Sequence, residues 1–154
     1  MILTGWRIVK RKHAKTAFSG EGARLYGGRW NHSGVPLVYT AGTISLAVLE
    51  MLVHLDSTEL LQHYVIFEVT FDSKLVTPID PGELPKNWRA YPPPHASQKI
   101  GDAWAKTAKS AVLGAPSVVV PSEKNYLLNP RHADFPQVRI HKSAPFQFDP
   151  RLVE

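Results

Sequence analysis

Tyr26-Gly-Gly-Arg-Trp-Asn-His-Ser-Gly34, followed by Val35 to Thr40 and then Thr43 to Leu55, is the stretch around which the chain is organised. Paired glycines let the backbone approach a ligand or another strand closely. Arg29 follows them with a planar fork of donors suited to phosphate or carboxylate. Asn31, His32, Ser33 and Gly34 have turn chemistry. Val35 to Thr40 is apolar and β-rich, which predicts a short buried strand carrying Tyr39. Thr43 is placed to cap a helix. Ile44, Ala47, Val48, Met51, Leu52 and Leu55 share one face of that helix, with Leu46, Leu49 and Val53 opposite. A helix apolar nearly all round is expected to be buried.

Glu50 interrupts this helix near its middle. A glutamate is almost never fully buried without a partner. Two readings compete. In one, Glu50 lies on a narrow solvated edge beside His54, at i+4. In the other it points into a cavity shared with Arg29 and Tyr39, and the apolar neighbours favour this one.

The 154 residues suffice for one core, so the expectation is a single domain spanning residues 1–154. There are no cysteines, which removes disulfides and thiolate metal sites and fits a reducing cytoplasm. The first residues form too short an apolar run for a signal peptide, and no run is long enough to cross a bilayer. A soluble cytoplasmic protein is expected, with no membrane partner. The net charge of +5 favours anionic partners. Arg7, Lys10, Arg11, Lys12 and Lys15 concentrate part of it, but lack the interleaved aromatics of a nucleic-acid surface, so a solvated basic face is expected and no direct nucleic-acid binding.

Along the chain, a first strand over Trp6–Val9 contains Arg7, either an edge charge or a buried phosphate ligand. Residues 10–25 read as a loop. Tyr64 to Phe71 alternates cleanly and predicts a half-buried strand. Leu75 to Ile79 is extended. The prolines of 80–98 predict a long irregular connection bearing Trp88 and Tyr91. Ser97 to Ser110 reads as a helix with Ile100, Ala103, Trp104, Thr107 and Ala108 on its inner face. Ser117 to Pro121 reads as a strand, 123–135 as a mixed loop, and Gln137–His141 and Pro145–Asp149 as closing strands. Interspersed helices and strands with hairpin-like ends predict an α+β fold with a mixed or antiparallel sheet.

The seven histidines form no His-Glu-x-x-His pair, so no metal site is expected. A P-loop, a dinucleotide-binding glycine motif and a Gly-x-Ser-x-Gly elbow are also missing. Arg29, Tyr39 and Glu50 remain, with Ser117 and Asn129 as later candidates. They suit cleavage of a glycosidic bond in an anionic nucleotide. Arginine holds phosphates, a tyrosine ring stacks on a base, and a carboxylate opposes charge on an oxocarbenium-like sugar.

Phe18-Ser-Gly-Glu-Gly-Ala-Arg24, Tyr26-Gly-Gly-Arg-Trp-Asn31, Val38-Tyr-Thr-Ala41, Leu46-Ala-Val-Leu-Glu50, Ala115-Pro-Ser117 and Asn125-Tyr-Leu-Leu-Asn-Pro130 together resemble the RES-domain family over nearly the whole chain. The resemblance implies an ADP-ribosyltransferase-like fold with a split sheet in a single RES domain. It also implies a toxin of a type II toxin–antitoxin system, with NAD+ as substrate rather than cofactor. By position, Arg29, Tyr39 and Glu50 match the family's catalytic set, and Arg7, Ser117 and Asn129 are taken with Arg29 and Tyr39 as NAD-binding. Ser122 competes with Ser117 for the family serine, and a structural hydroxyl at Ser117 is an equal alternative. NAD+ hydrolysis or phosphorolysis is the leading activity implied. ADP-ribosyl transfer to a protein, a non-catalytic nucleic-acid-binding module and a ribonuclease are the alternatives. The implied partner is an Xre-type helix-turn-helix antitoxin. Trp88 and Tyr91 could anchor that partner, anchor a second copy in a homodimer, or cap the core.

Overall fold

The sheet starts from two nine-residue strands that lie side by side over their full length. In chain order the strands are β1 (Ile2–Lys10), β2 (Val38–Ala41), β3 (Tyr64–Asp72), β4 (Val76–Pro78), β5 (Val112–Pro116), β6 (Lys124–Leu128), β7 (Arg139–Ile140) and β8 (Ala144–Phe146). The helices are α1 (Glu21–Tyr26), α2 (Ile44–Leu52) and α3 (His95–Lys106). The computed structural model describes residues 1–153. β1 and β3 pair antiparallel from Ile2↔Asp72 to Lys10↔Tyr64. Val65, Phe67, Val69 and Phe71 all point into the core, as the alternation of β3 requires.

The sheet order is β4-β5-β6-β2-β1-β3-β7, with β8 also on β3. β4 and β5 run parallel; the other pairs are antiparallel. The sheet is therefore mixed, as expected. Its two halves meet at β1 and β2, which share a single register pair, Trp6↔Ala41. Beyond that pair the strands diverge, and the split opens a cleft.

α2 packs Leu46 and Ala47 against Ile8, Ala41 and Tyr64. The expected N-cap is present: Thr43 Oγ1 accepts from the Leu46 amide at 3.1 Å. The expectation of a fully buried α2 is not met, since Ile44, Leu49 and Val53 are exposed. The helix lies on one face of the sheet, and among the described residues nothing covers Ile44, Leu49 and Val53, so its outer side is an apolar stripe.

α3 packs on a separate core cluster, against Trp30, Leu37 and Leu113. It buries Trp104 and packs Ile100 on that cluster, as expected, but it also buries Ser97, Gly101 and Asp102, while Ala103, Thr107 and Ala108 of the expected face are exposed. Apolar spacing missed Ser97, Gly101 and Asp102 because that part of the helix meets backbone and a polar turn. A Cβ on Gly101 would stand 1.8 Å from the Trp30 carbonyl oxygen. Trp88 stacks on Trp30 with centroids 6.2 Å apart, so it caps the core, whereas Tyr91 is exposed.

Three other segments differ from expectation. Residues 10–25 contain a 3-10 helix, Arg11–Thr16, and then α1. The strand expected at 117–121 is instead β5, ending at Pro116, and 117–121 turns back. Lys124–Leu128, read as loop, is β6, held between β2 and β5. Its weak intrinsic strand signal is overridden by two partners. Gly101→Ala should lower unfolding free energy by about 1–3 kcal/mol in a urea titration, because α3 must lift from the Trp30 backbone.

Candidate active site

The divergence of β1 from β2 opens a cleft of about 920 Å³, lined by Arg7 and Tyr39 from the two strands, Glu50 from α2, Arg29 from the glycine turn, Tyr91 and Asn125. Each reaches it for a local reason. Asn31 is fully buried and organises the turn. Its Nδ2 donates to the carbonyls of Ala23 at 2.9 Å and Val35 at 3.1 Å. Its Oδ1 accepts the Tyr39 hydroxyl proton at 2.6 Å. The Tyr39 oxygen in turn accepts from the Trp30 amide at 3.1 Å. Burial pushes the Tyr39 pKa up, so the phenol is neutral and donates as this network requires. A Cβ on Gly28 would sit 2.7 Å from that hydroxyl, so the turn needs glycine there.

Arg29 leaves this turn and donates from Nη1 to the Trp88 carbonyl at 3.1 Å and the Ala90 carbonyl at 2.5 Å. Burial lowers its pKa, while Glu50, Tyr39 and Tyr91 act in the opposite direction. Arg7 donates from Nε to the Ala17 carbonyl at 2.7 Å and from Nη1 to the Tyr39 carbonyl at 3.0 Å. Burial brings it down to about 10, which leaves it charged at neutral pH. Among the described residues, neither arginine has a carboxylate within ion-pair distance. Two partly desolvated cations held only by neutral carbonyls make the cleft a site for an anion.

Glu50 is oriented from one side only. Its Oε1 accepts from Ser117 Oγ at 2.7 Å and Asn125 Nδ2 at 2.8 Å. The fully buried Ser117 hydroxyl accepts from the Val119 and Val120 amides at 3.1 and 3.0 Å, which commits its single proton to Glu50. Oε2 receives no hydrogen bond from the described residues, leaving one carboxylate oxygen for whatever occupies the cleft. The arrangement can hold a phosphorylated ligand on the arginines and set a carboxylate oxygen against a centre that becomes positive.

The model of the RES domain matches residues 4–149. The chain belongs to the RES domain family. It is 40% identical over 149 residues to a protein named Toxin Res from Yersinia enterocolitica, covering 96% of this chain and 97% of that one. It is 37% identical to a Prs ADP-ribosylating toxin from a Sphingobium species, covering 99% and 98%. The fold resembles that in the crystal structure of the M. tuberculosis MbcT–MbcA toxin–antitoxin complex, with a TM-score of 0.78 at 17% identity, over 99% of this chain and 87% of that one.

Within this RES domain the structure brings Arg7, Arg29, Tyr39 and Glu50 to one cleft. Ser117 lies behind Glu50 rather than on the cleft wall, and Ser122 is exposed without a bond to it. Asn129 is not brought to the cleft. It is buried, with Nδ2 on the Ala105 carbonyl and Oδ1 on the Arg131 amide, so it serves the scaffold. His54 lines the cleft without a hydrogen bond to Glu50. Asn125 is a site residue that the sequence reading does not single out, because 123–135 reads as loop; the alternation of Asn125 and Leu127 against Tyr126 and Leu128 is the signal that points to it. Among the described residues no cluster suits a metal ion, and no helix is long and apolar enough to cross a membrane.

Ser117→Ala should cost about 1–3 kcal/mol of stability, measured by chemical denaturation, since it leaves two half-buried amides without their acceptor and removes a donor from Glu50.

Proposed function

We propose that this protein is the toxin of a toxin–antitoxin system and that it depletes NAD+ by cleaving the nicotinamide–ribose bond. The observation that carries the reading is Glu50: one oxygen tied to Ser117 and Asn125, the other without a hydrogen bond from the described residues, in a cleft whose Arg7 and Arg29 have no carboxylate within ion-pair distance among those residues. In this reading Arg29 and Arg7 hold the pyrophosphate and Tyr39 fixes the turn and offers its ring. The bond between the ribose C1′ and the pyridine nitrogen breaks, and its electron pair neutralises the pyridinium. Nicotinamide therefore leaves without a proton donor, which fits a site with one free carboxylate. Glu50 opposes the charge on the ribosyl cation. Water or phosphate then bonds to C1′ and gives up a proton.

Transfer of the ADP-ribosyl group to a protein is a second reading. It is supported by the similarity to a Prs ADP-ribosylating toxin and by exposed Tyr26, Val53 and Tyr91 around the cleft, where an acceptor protein could rest. The partner in our reading is an Xre-type antitoxin that covers the cleft and the apolar outer side of α2. The similarity to a toxin crystallised with its antitoxin supports such a partner. The site of action is the cytoplasm.

Glu50→Gln keeps an acceptor for Ser117 and Asn125, so the fold and NAD+ binding should persist while nicotinamide release falls at least about 100-fold. Arg29→Ala should mainly raise KM, by about 10- to 100-fold, through loss of a charge-assisted contact. Cells induced for wild type should lose NAD+ before growth stops, and cells induced for Glu50→Gln should not. Growth arrest at unchanged NAD+ would overturn the NAD+-depletion reading. A labelled ADP-ribosyl group retained on a protein would select the transfer reading, and early RNA loss would indicate a ribonuclease.

A further inference from the structure

The turn carrying Arg29 is held from a side the cleft does not reach. His32 donates its backbone amide to Asp102 Oδ1 at 2.9 Å, and its ring Nδ1 lies 2.5 Å from Asp102 Oδ2. Its Nε2 lies 2.9 Å from His95 Nδ1, with the rings within 12° of parallel. Asp102 is buried and His95 is exposed at the start of α3. None of the three lines the cleft. Gln98, one turn on from His95, donates to the Gly28 and Asn31 carbonyls at 3.0 and 3.2 Å.

We propose that Asp102, His32 and His95 form a proton-controlled latch that positions Arg29 for its anionic ligand. This rests on the NAD+ reading of the site. An ionised carboxylate only accepts, so His32 Nδ1 carries a proton. The contact between the rings then holds one proton: His95 donates to a bare His32 Nε2, or a charged His32 donates to a bare His95 Nδ1. A second charge would set two N–H groups against each other at 2.9 Å, and the contact opens. The carbonyls that hold Arg29 belong to Trp88 and Ala90, in the segment that leads into His95. Opening the latch therefore frees the turn that carries the arginine from the segment that receives it.

The charged groups around the pair are few. Arg29 lies on the same turn. From α3 come Asp102 and two exposed lysines, of which Lys99 lines a separate groove. From β2 comes Tyr39, neutral through burial. On α1, Glu21 and Arg24 are paired with each other. Asp102 is the one carboxylate within ion-pair distance of either ring among the described residues. Lowering the pH through the range in which histidines charge, from about 7.5 to about 5.5, thus adds the second proton and releases the turn.

The test is the pH dependence of NAD+ cleavage for wild type, His95→Gln and His95→Ala, with long-range 1H–15N spectra of the imidazoles. Wild-type KM should rise about 3- to 10-fold over that range, more than kcat falls. His95→Gln keeps a donor for His32 and cannot charge, so the rise should flatten. His95→Ala should raise KM already at the upper pH. In the spectra, His32 Nδ1 should stay protonated and the two rings should titrate as a coupled pair, with His32 shifted in His95→Gln. An undiminished acid rise in His95→Gln, a normal KM in His95→Ala, or independent titration would overturn the latch. The spectra need no turnover. A coupled pair in a protein that leaves NAD+ intact would sink the NAD+ reading and keep the latch.

Discussion

β1 and β2 share one register pair, and everything at the cleft follows from the ladder failing beyond it. Two strands that stay paired leave no room between them. Strands that part after Trp6↔Ala41 expose backbone that must find other partners. Arg7 supplies one, reaching across the gap to the Tyr39 carbonyl while its Nε takes that of Ala17. The same side chain thus substitutes for missing ladder bonds and leaves a positive charge in the opening. Filling the gap with an apolar residue would satisfy neither need.

The rest of the cleft is held by neutral groups, which has an electrostatic consequence. Arg29 rests on two carbonyls, Glu50 on a hydroxyl and an amide, and Tyr39 on an asparagine. Neutral donors and acceptors orient a charge without cancelling it. Direct pairing of Glu50 with either arginine would fill the site from within. Held apart on separate neutral supports, both signs remain available in a partly desolvated space where each acts more strongly than in water. Burial of these groups costs solvation, and the full hydrogen bonding of Asn31 and Ser117 offsets part of it.

Much of this was legible along the chain. The alternation of Tyr64 to Phe71 announced a central strand. Thr43 announced the start of α2, and a glutamate amid apolar residues announced a cavity. Gly27, Gly28 and Arg29 marked a turn that needs close approach. The motif set carried the family, which the domain match bears out. These features were readable because each is local: a period, a cap, or a residue out of keeping with its neighbours. In α3 the apolar spacing located Ile100 and Trp104 on the core but not the polar half of the inner face. Its inner face uses Gly101 against backbone and Asp102 against an imidazole, and neither registers as apolar spacing.

By itself the sequence determined that β3, α2 and α3 form and which residue types they carry, since propensity, capping and alternation act over a few residues, whereas β6 and α1 were not readable from it. Only the tertiary structure decided which of them meet. Asn125 reaches Glu50 because β6 lies between β5, the strand just before it, and β2, far away in the chain. Asn129, four residues on, turns instead toward α3 and serves the scaffold. Ser117 rather than Ser122 holds the glutamate because the chain turns directly after β5, where the Val119 and Val120 amides fix its hydroxyl. Such choices depend on contacts between residues 24 to 75 apart, and the free energy that makes them exists only once the sheet has closed.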